Sequence, residues 1–451
     1  MSAPHVVVVG GGLAGLRAAV SCLDAGTRVT LLEARPRLGG ATWSNRHQGL
    51  LIDNGQHVFL RCCSAYREFL RRLDVEDRVF LQDRLAVPVA APGGPTAWLR
   101  RSALPAPLHL AGSLLRFSHL SLAERLRVAR TTHSLGRLRL SDPSLDEQSF
   151  GSWLRARGEG TRSLEVFWDL LVRPTLNVSA EEASLGLAAK VFQTGLLERA
   201  DAGDIGWSRV PLQELHAEPA QALLERGGAE VVLRAPVSRI LPGADGRHVV
   251  VTGERRIDAD AVILAAPHEV AAELIPEAAG VDVAGLRSLG HAPIVDLHMV
   301  FDRKVMAEEF VAGIGTPLQW IFDRSAASGL ESGQYLAVSL SAADAYVGVS
   351  SAELQRIFLP ELQGLFPAAR EARLVRFFAT CERTATFLQV PGTLRHRPGT
   401  RTELPGFYLA GAWTDTGWPA TMEGAVLSGE AAAQHALTGL ARGRRPAAAA
   451  A

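Results

Sequence analysis

Residues 6–40, VVVVGGGLAGLRAAVSCLDAGTRVTLLEARPRLGG, restrict the fold more tightly than any other stretch of the chain. Val6 to Val9 is a short β-branched run of the kind buried on both faces of a parallel sheet. Gly10, Gly12 and Gly15 follow as G-x-G-x-x-G. Leu13, Leu16, Ala19, Val20 and Leu23 then recur at helical spacing, so a helix begins inside the glycine turn. The three glycines suit a tight turn, close approach of the backbone to a pyrophosphate, and close helix–strand packing. The free N–H groups of the first helical turn, around Leu13 and Ala14, and the positive end of the helix dipole face the phosphates. Gly26 closes the helix, and Arg28 to Leu32 is a second strand ending in Glu33. That acid lies about twenty residues past the glycines, where a carboxylate can accept the hydroxyls of an adenosine ribose.

A chain of 451 residues exceeds one small core, so two domains are expected. The formal net charge is zero, which gives no reason to expect a nucleic-acid partner. Lys190 and Lys304 are the only lysines. The four cysteines, Cys22, Cys62, Cys63 and Cys381, have neither C-x-x-C spacing nor a disulfide pattern, and no metal ligand is assigned. An intracellular, reduced, cytoplasmic protein is the simple expectation, with no room for a secretory signal ahead of the first strand and no run of roughly 20 apolar residues to span a bilayer. Residues 441–451 read as a disordered tail.

Along the chain, Leu50 to Val58 (LLIDNGQHV) is a strand and a turn that returns toward the nucleotide site. Residues 64–82 read as helix, and 85–100 as a hairpin. In 104–140, leucines alternate with Arg116, Arg125, Arg127 and Arg130; such a stripe can lie on a membrane surface or form a helical lid on its own core. Residues 150–200 are helical, with Ser179 and Glu182 as a capping box and a break at 173–177 that shapes a cavity wall. Strands follow at 230–234, 236–241 and 248–252, with an Asp245-Gly246 turn between the last two. Residues 257–267 read as a single central strand ending in small residues. A sheet pair is expected from 294–301 and 335–340, and a last strand at 407–411 leads to a helix starting near Thr421.

Four separated motifs carry a resemblance that spans nearly the whole chain: GGGLAGL…LLEARPRLGG, LIDNGQHVF, DADAVILAAP, and FYLAGAWTDTGWPATMEGAVLSG. They resemble the flavin amine oxidase and phytoene desaturase superfamily, and most of all its squalene-associated branch, the hydroxysqualene dehydroxylases. The resemblance implies an α/β fold: an FAD-binding Rossmann-type domain (1–75, 205–270 and 400–440) with an inserted α+β substrate or lid domain (76–204 and 271–399). It also implies that Gly10, Gly12, Leu13, Ala14 and Gly15 approach the FAD pyrophosphate, with Glu33, Ala34 and Arg35 at the adenosine ribose. Gly39, Gly40 and Ala41 would wrap the phosphates, Val237 would meet adenine, and Asn54, Gly55, Gln56 and His57 would pass near the flavin ring. Gly411, Ala412, Thr421, Met422 and Glu423 would sit by the ribityl chain and pyrimidine end. Two departures stand out: relatives usually carry an acid where this chain has Ala412, and a basic residue where it has Ala41. Asp415 is the nearest acid that could compensate for the first.

The activity implied is reduction of an allylic C–O bond in a long isoprenoid, hydroxysqualene to squalene, with NAD(P)H as a transient reductant. Squalene-synthase-like enzymes would be pathway partners, and the protein would sit peripherally on the inner face of the membrane. The leaving hydroxyl needs a proton donor, for which His57, Asp296 and His298 are the candidates. A phytoene-type desaturase is the alternative enzyme. An isoprenoid carrier on the same fold, as in the Rab escort and GDP-dissociation-inhibitor relatives, is the non-enzyme alternative. An amine oxidase fits less well, because such enzymes usually place a lysine on the strand matching 294–299 and this chain has none there.

Overall fold

The computed structural model describes residues 3–243 and 246–443. Its centre is a five-stranded parallel sheet in the order Glu230–Leu233, Arg28–Glu33, His5–Val9, Ala261–Leu264, Phe407–Leu409. Segments hundreds of residues apart therefore share one sheet. Val6, Val7 and Val8 are fully buried, as a strand covered on both faces requires. The first helix, Leu13–Asp24, packs on the closing helix, Met422–Gly443, and this contact is close: a Cβ at Gly429 would lie 2.1 Å from the Ala14 carbonyl oxygen. The two ends of the chain thus form one body.

A seven-stranded sheet makes the second layer, in the order Leu374–Thr386, Ala292–Phe301, Gln334–Ser341, Trp320–Asp323, Phe310–Gly313, Ala86–Ala90, Ala97–Arg100. The Ala292–Phe301 strand alternates as strands do. Val295, Leu297, Met299 and Phe301 share a core with Phe358 and Leu362 of the Ser351–Leu365 helix. Val300, on the opposite face with Asp296 and His298, packs with Leu50 and Ile52 of the first domain. One face of this sheet is therefore turned toward the 50–57 segment. The expected hairpin and the 294–301/335–340 pairing are both present.

Several elements differ from the sequence reading. The helix expected over 64–82 ends at Arg72; Asp74 takes a left-handed φ of 59°, and a short strand follows at Val79–Leu81. The 257–267 strand is two strands. Arg255–Ala259 runs antiparallel beside His248–Thr252, and Ala261–Leu264 enters the central sheet. The switch falls at Asp260, whose N–H donates to the His5 carbonyl while its carboxylate accepts the His5 N–H and Arg247. Ser179 bonds Glu182 but starts no helix; the Leu185–Phe192 helix is capped by Ser184. The Asp169–Leu176 helix passes through Pro174 and stops at Asn177, with φ 53°. Arg173 and Pro174 do border a cavity of about 330 Å³, together with Glu165, Thr316 and Trp320. Helix continues through Gly443, into the segment read as a tail; residues 444–451 lie outside the described residues, as does Asp245 of the expected turn.

Candidate functional site

The first glycine loop is built from backbone. Gly10 has φ +108°, which a side chain would make costly, and a Cβ at Gly15 would fall 1.9 Å from the Gly10 carbonyl oxygen. Gly12 differs: its φ is −76°, and a Cβ there would meet only Gly40 Cα, at 3.7 Å. The protein leaves space beside Gly12 that nothing in the chain fills. Gly12 is also the N-cap of the first helix and supplies no side-chain cap, so the N–H groups around Leu13 and Ala14 are open to an anion. Glu33 braces this loop; its Oε2 accepts the Gly11 N–H at 2.7 Å and its Oε1 the Arg35 N–H at 2.7 Å. Ala34, Arg35 and Ala41 are exposed around it. The second glycine pair docks on the first: Gly39 N–H donates to Gly11 at 2.8 Å, and a Cβ at Gly40 would lie 2.8 Å from Gly12 Cα. Val237 is half-buried beside this edge, next to Ala235, whose N–H donates to the Glu33 carbonyl at 2.9 Å.

The C-terminal motif closes against the same sheet. Gly411 has φ +146°, and its N–H donates to Ser428 Oγ at 2.8 Å. Trp413 Nε1 donates to the Ala266 carbonyl at 2.9 Å, tying the loop to the end of the central strand. Thr421 Oγ1 accepts the Gly424 N–H at 3.1 Å and so caps the closing helix just ahead of Met422. The Glu423 side chain turns away from the helix start and accepts the Ala65 and Tyr66 N–H groups at 3.1 and 2.7 Å. Where relatives carry an acid, the Ala412 carbonyl is held by Arg397 at 3.2 Å. The buried Arg397 also donates to Thr414 and Trp418 carbonyls at 2.5 and 2.8 Å, and burial lowers its pKa to about 10. Asp415 is exposed and accepts the Gly417 N–H at 3.1 Å through Oδ1.

Between these two ends lies the 54–57 turn. Asn54 fixes it, donating to the Ala41 carbonyl and accepting the Trp43 N–H. A Cβ at Gly55 would stand 3.5 Å from both Asp296 Oδ2 and His57 Cε1, so those two side chains flank the turn. Asp296 is fully buried, and neither of its oxygens has a hydrogen-bond partner. Burial raises its carboxyl to about 7. The Ser339 hydroxyl and Gln56 N–H pull the other way without reaching hydrogen-bonding geometry, and the Asp53 charge adds to the rise. His57 is half-buried, contacts the Gly55 carbonyl at 3.1 Å through Nδ1, and is lowered by burial. His298 is placed further along the strand with both nitrogens engaged, by Tyr335 Oη at 2.7 Å and Thr380 Oγ1 at 2.9 Å. Burial lowers it to about 3, and its ring stacks on Phe378.

Apart from Asp53, which lies in the LIDNGQHVF motif, sequence motifs did not point to the supporting groups. Arg324 reaches from the second sheet to Asp53 at 2.8 Å and to the Ser208 carbonyl at 2.5 Å; both side chains are buried. With Gln56, His57, Trp207 and Ser208 they line a small cavity. His216 bonds Tyr66 Oη at 2.7 Å, is lowered to about 3 by burial with His57 nearby, and leaves Nδ1 unpartnered.

Whether these residues fit an FAD is tested by their unmet hydrogen bonds. Trp43 Nε1, Gln56 Nε2, Gln213 Oε1, His216 Nδ1 and both Asp296 oxygens are buried without partners. All border the 39–57 segment. Gln213 N–H donates to Ser44, and Ala217 Cβ is 3.7 Å from a Cβ at Gly39. Orphaned polar atoms each cost about 1–3 kcal/mol, so a cluster of them marks where a polar ligand belongs. The open flank of Gly12 and the uncapped helix start suit its pyrophosphate. The residues present fit the cofactor.

This fold and cradle define a flavin-dependent oxidoreductase, and the family model for flavin-containing amine oxidoreductases matches residues 13–437. The chain belongs to that family, and it is an FAD-dependent enzyme. Among individual proteins it is similar to hydroxysqualene dehydroxylase of Sinorhizobium fredii, 29% identical over 96% of this chain and 98% of that one. It is also similar to the 15-cis-phytoene desaturase of an Oncidium hybrid cultivar, at 27% over 95% of this chain and 77% of that one. A solved putrescine oxidase with putrescine bound shares the fold, with TM-score 0.73 at 18% identity over 97% of this chain and 99% of that one. Among the described residues no helix is long and apolar enough to cross a membrane.

Proposed function

We propose that the chain carries out reductive dehydroxylation of a long isoprenoid, hydroxysqualene to squalene, with Asp296 as the proton donor. One observation carries this reading: a fully buried carboxyl, raised to about 7 and free of hydrogen bonds, stands against the turn assigned to the flavin ring. Such a group is partly protonated near neutral pH and can give up its proton. Bound FAD, once reduced, supplies hydride. As the allylic C–O bond breaks, Asp296 protonates the departing oxygen to give water; the carbon would take the hydride that bound, reduced FAD would supply. Net electrons come from an external donor, which we take to be NAD(P)H; no second dinucleotide fingerprint exists, so it would use the same cavity. His57, neutral and beside Gly55, orients the turn and shares the donor's surroundings. His298, closed off by Tyr335 and Thr380, supports the strand.

In this reading Gly10, Gly12, Leu13, Ala14, Gly15, Gly39, Gly40 and Ala41 hold the pyrophosphate. Glu33, Ala34 and Arg35 hold the ribose, Val237 the adenine, and Asn54 to His57 the ring. Gly411, Ala412, Thr421 and Met422 complete the ribityl side through backbone, with Glu423 anchoring the helix from behind. On this reading the FAD-binding portion is 1–75, 205–270 and 400–440, and the substrate portion 76–204 and 271–399. The substrate arrives from the membrane surface. Leu104, Leu108, Leu115, Leu122 and Leu126 are 47–61% exposed on 104–126, with Arg116 and Arg130 exposed nearby, an arrangement suited to an anionic inner leaflet.

Incubation with hydroxysqualene and NAD(P)H, and separately with phytoene and an electron acceptor, tests the reading. Squalene from the first supports it. Desaturated product from the second, with no squalene, replaces it with the phytoene-type reaction, which the similarity to phytoene desaturases keeps as the second reading.

A further inference from the structure

His268, Glu269 and His291 come together on the side of the molecule where the chain passes from the nucleotide sheet into the second sheet. His268 and Glu269 open the His268–Leu274 helix just after the central Ala261–Leu264 strand. His291 immediately precedes the Ala292–Phe301 strand that carries Asp296. Twenty-one residues of intervening chain separate the pair from His291 and hide this grouping from any motif search.

The geometry is that of a donor set. One ligand atom from each residue lies within 4.8 Å of the other two. The imidazole rings stand 4.7 Å apart, tilted by 41°, and His291 Nε2 contacts the Glu269 carboxylate. His268 is 5% exposed, and its Nε2 has no hydrogen-bond partner; His291 Nδ1 is likewise buried and unpartnered. An unpaired buried imidazole nitrogen is costly in a folded protein unless something accepts its lone pair or its proton.

We propose that His268, Glu269 and His291 bind a divalent transition-metal ion, zinc by preference, with water in the remaining position. Two imidazoles and a carboxylate are a donor set that suits zinc, with metal–ligand distances of about 2.0–2.2 Å. Those distances hold donor atoms a little over 3 Å apart. The exposed Glu269 must therefore swing away from direct contact with His291 as the ion enters, while the buried His268 stays in place. The bound ion would fasten the helix after the nucleotide sheet to the base of the strand bearing Asp296. Its binding does not depend on which isoprenoid is turned over.

The test uses the FAD-loaded full chain, stripped with chelator, titrated with Zn²⁺ by calorimetry, then desalted for metal analysis and thermal melting. Expected are one zinc retained per chain and a raised melting midpoint. His291→Ala and Glu269→Gln, both near the surface, should weaken binding at least about tenfold and abolish the thermal gain, and His268→Ala should do the same if it folds. The chain has 13 histidines, so weak adventitious uptake is expected in any case. Failure to retain zinc, or equal affinity in wild type, His291→Ala and Glu269→Gln, would overturn the proposal.

Discussion

Gly12 and Gly15 stand one helical turn apart and are glycine for different reasons. A Cβ at Gly15 strikes the Gly10 carbonyl, whereas one at Gly12 points into space reserved for a ligand. Gly15→Ala should therefore cost stability, about 1–3 kcal/mol in urea unfolding. Gly12→Ala should leave the unfolding midpoint within about 0.5 kcal/mol of wild type while flavin retention falls at least tenfold. Asp296 gives a second residue-level test, in the pH dependence of stability. Its folded pKa of about 7 lies above the unfolded value of about 3.9, so the folded state holds the extra proton between those pH values. Wild type thus loses stability as pH rises from about 4 to 7, and Asp296→Asn does not. The variant's advantage should be nil at pH 3.5 and reach roughly 2–4 kcal/mol by pH 8, measured by denaturant unfolding. Turnover should fall in the wild type on the alkaline side, as the donor deprotonates; a flat profile from pH 6 to 9 would remove Asp296 from that role.

At the scale of elements, what could be read in advance depended on whether the signal was local. The opening strand, helix and strand, the 86–100 hairpin and the closing helix were legible because apolar period and glycine position determine them. The break at Asp260 was not, because it depends on a carboxylate meeting His5 across the sheet. The helix end at Arg72 likewise turns on one left-handed residue, Asp74, that carries no glycine to announce it. Residues 104–140 were left between lid and membrane face: Phe117, Leu120, Val128 and Leu135 are buried, while Leu115, Leu122 and Leu126 face outward. Replacing those three outward leucines by serine should leave unfolding nearly unchanged and abolish sedimentation with anionic vesicles. Unchanged vesicle binding would return this segment to the role of a lid.

Across the whole molecule, the two ends of the chain meet in one sheet, and polar ties join a second sheet to the 50–57 segment beside it. Asp53 and Arg324 form the most buried of these. Arg324→Met leaves the buried Asp53 carboxylate with the Ser44 hydroxyl and Leu212 N–H but without its cation, and should cost about 3–5 kcal/mol, read by urea unfolding. The glycine loop and the acid that braces it were legible in the sequence because they sit at fixed spacing. Arg324, Gln213 and His216 were not, since they meet the cradle only through tertiary packing. Glu423 shows the limit from the other side: its motif places the helix start correctly but says nothing of its carboxylate, which serves Ala65 and Tyr66 instead. The direction of electron flow is the claim on which the functional reading depends most. It is tested most directly by mixing anaerobically reduced holoenzyme with hydroxysqualene and following the visible absorbance. Return of the oxidised flavin spectrum with one squalene formed per enzyme is the expected result; a spectrum that stays reduced, with hydroxysqualene recovered intact, would contradict it.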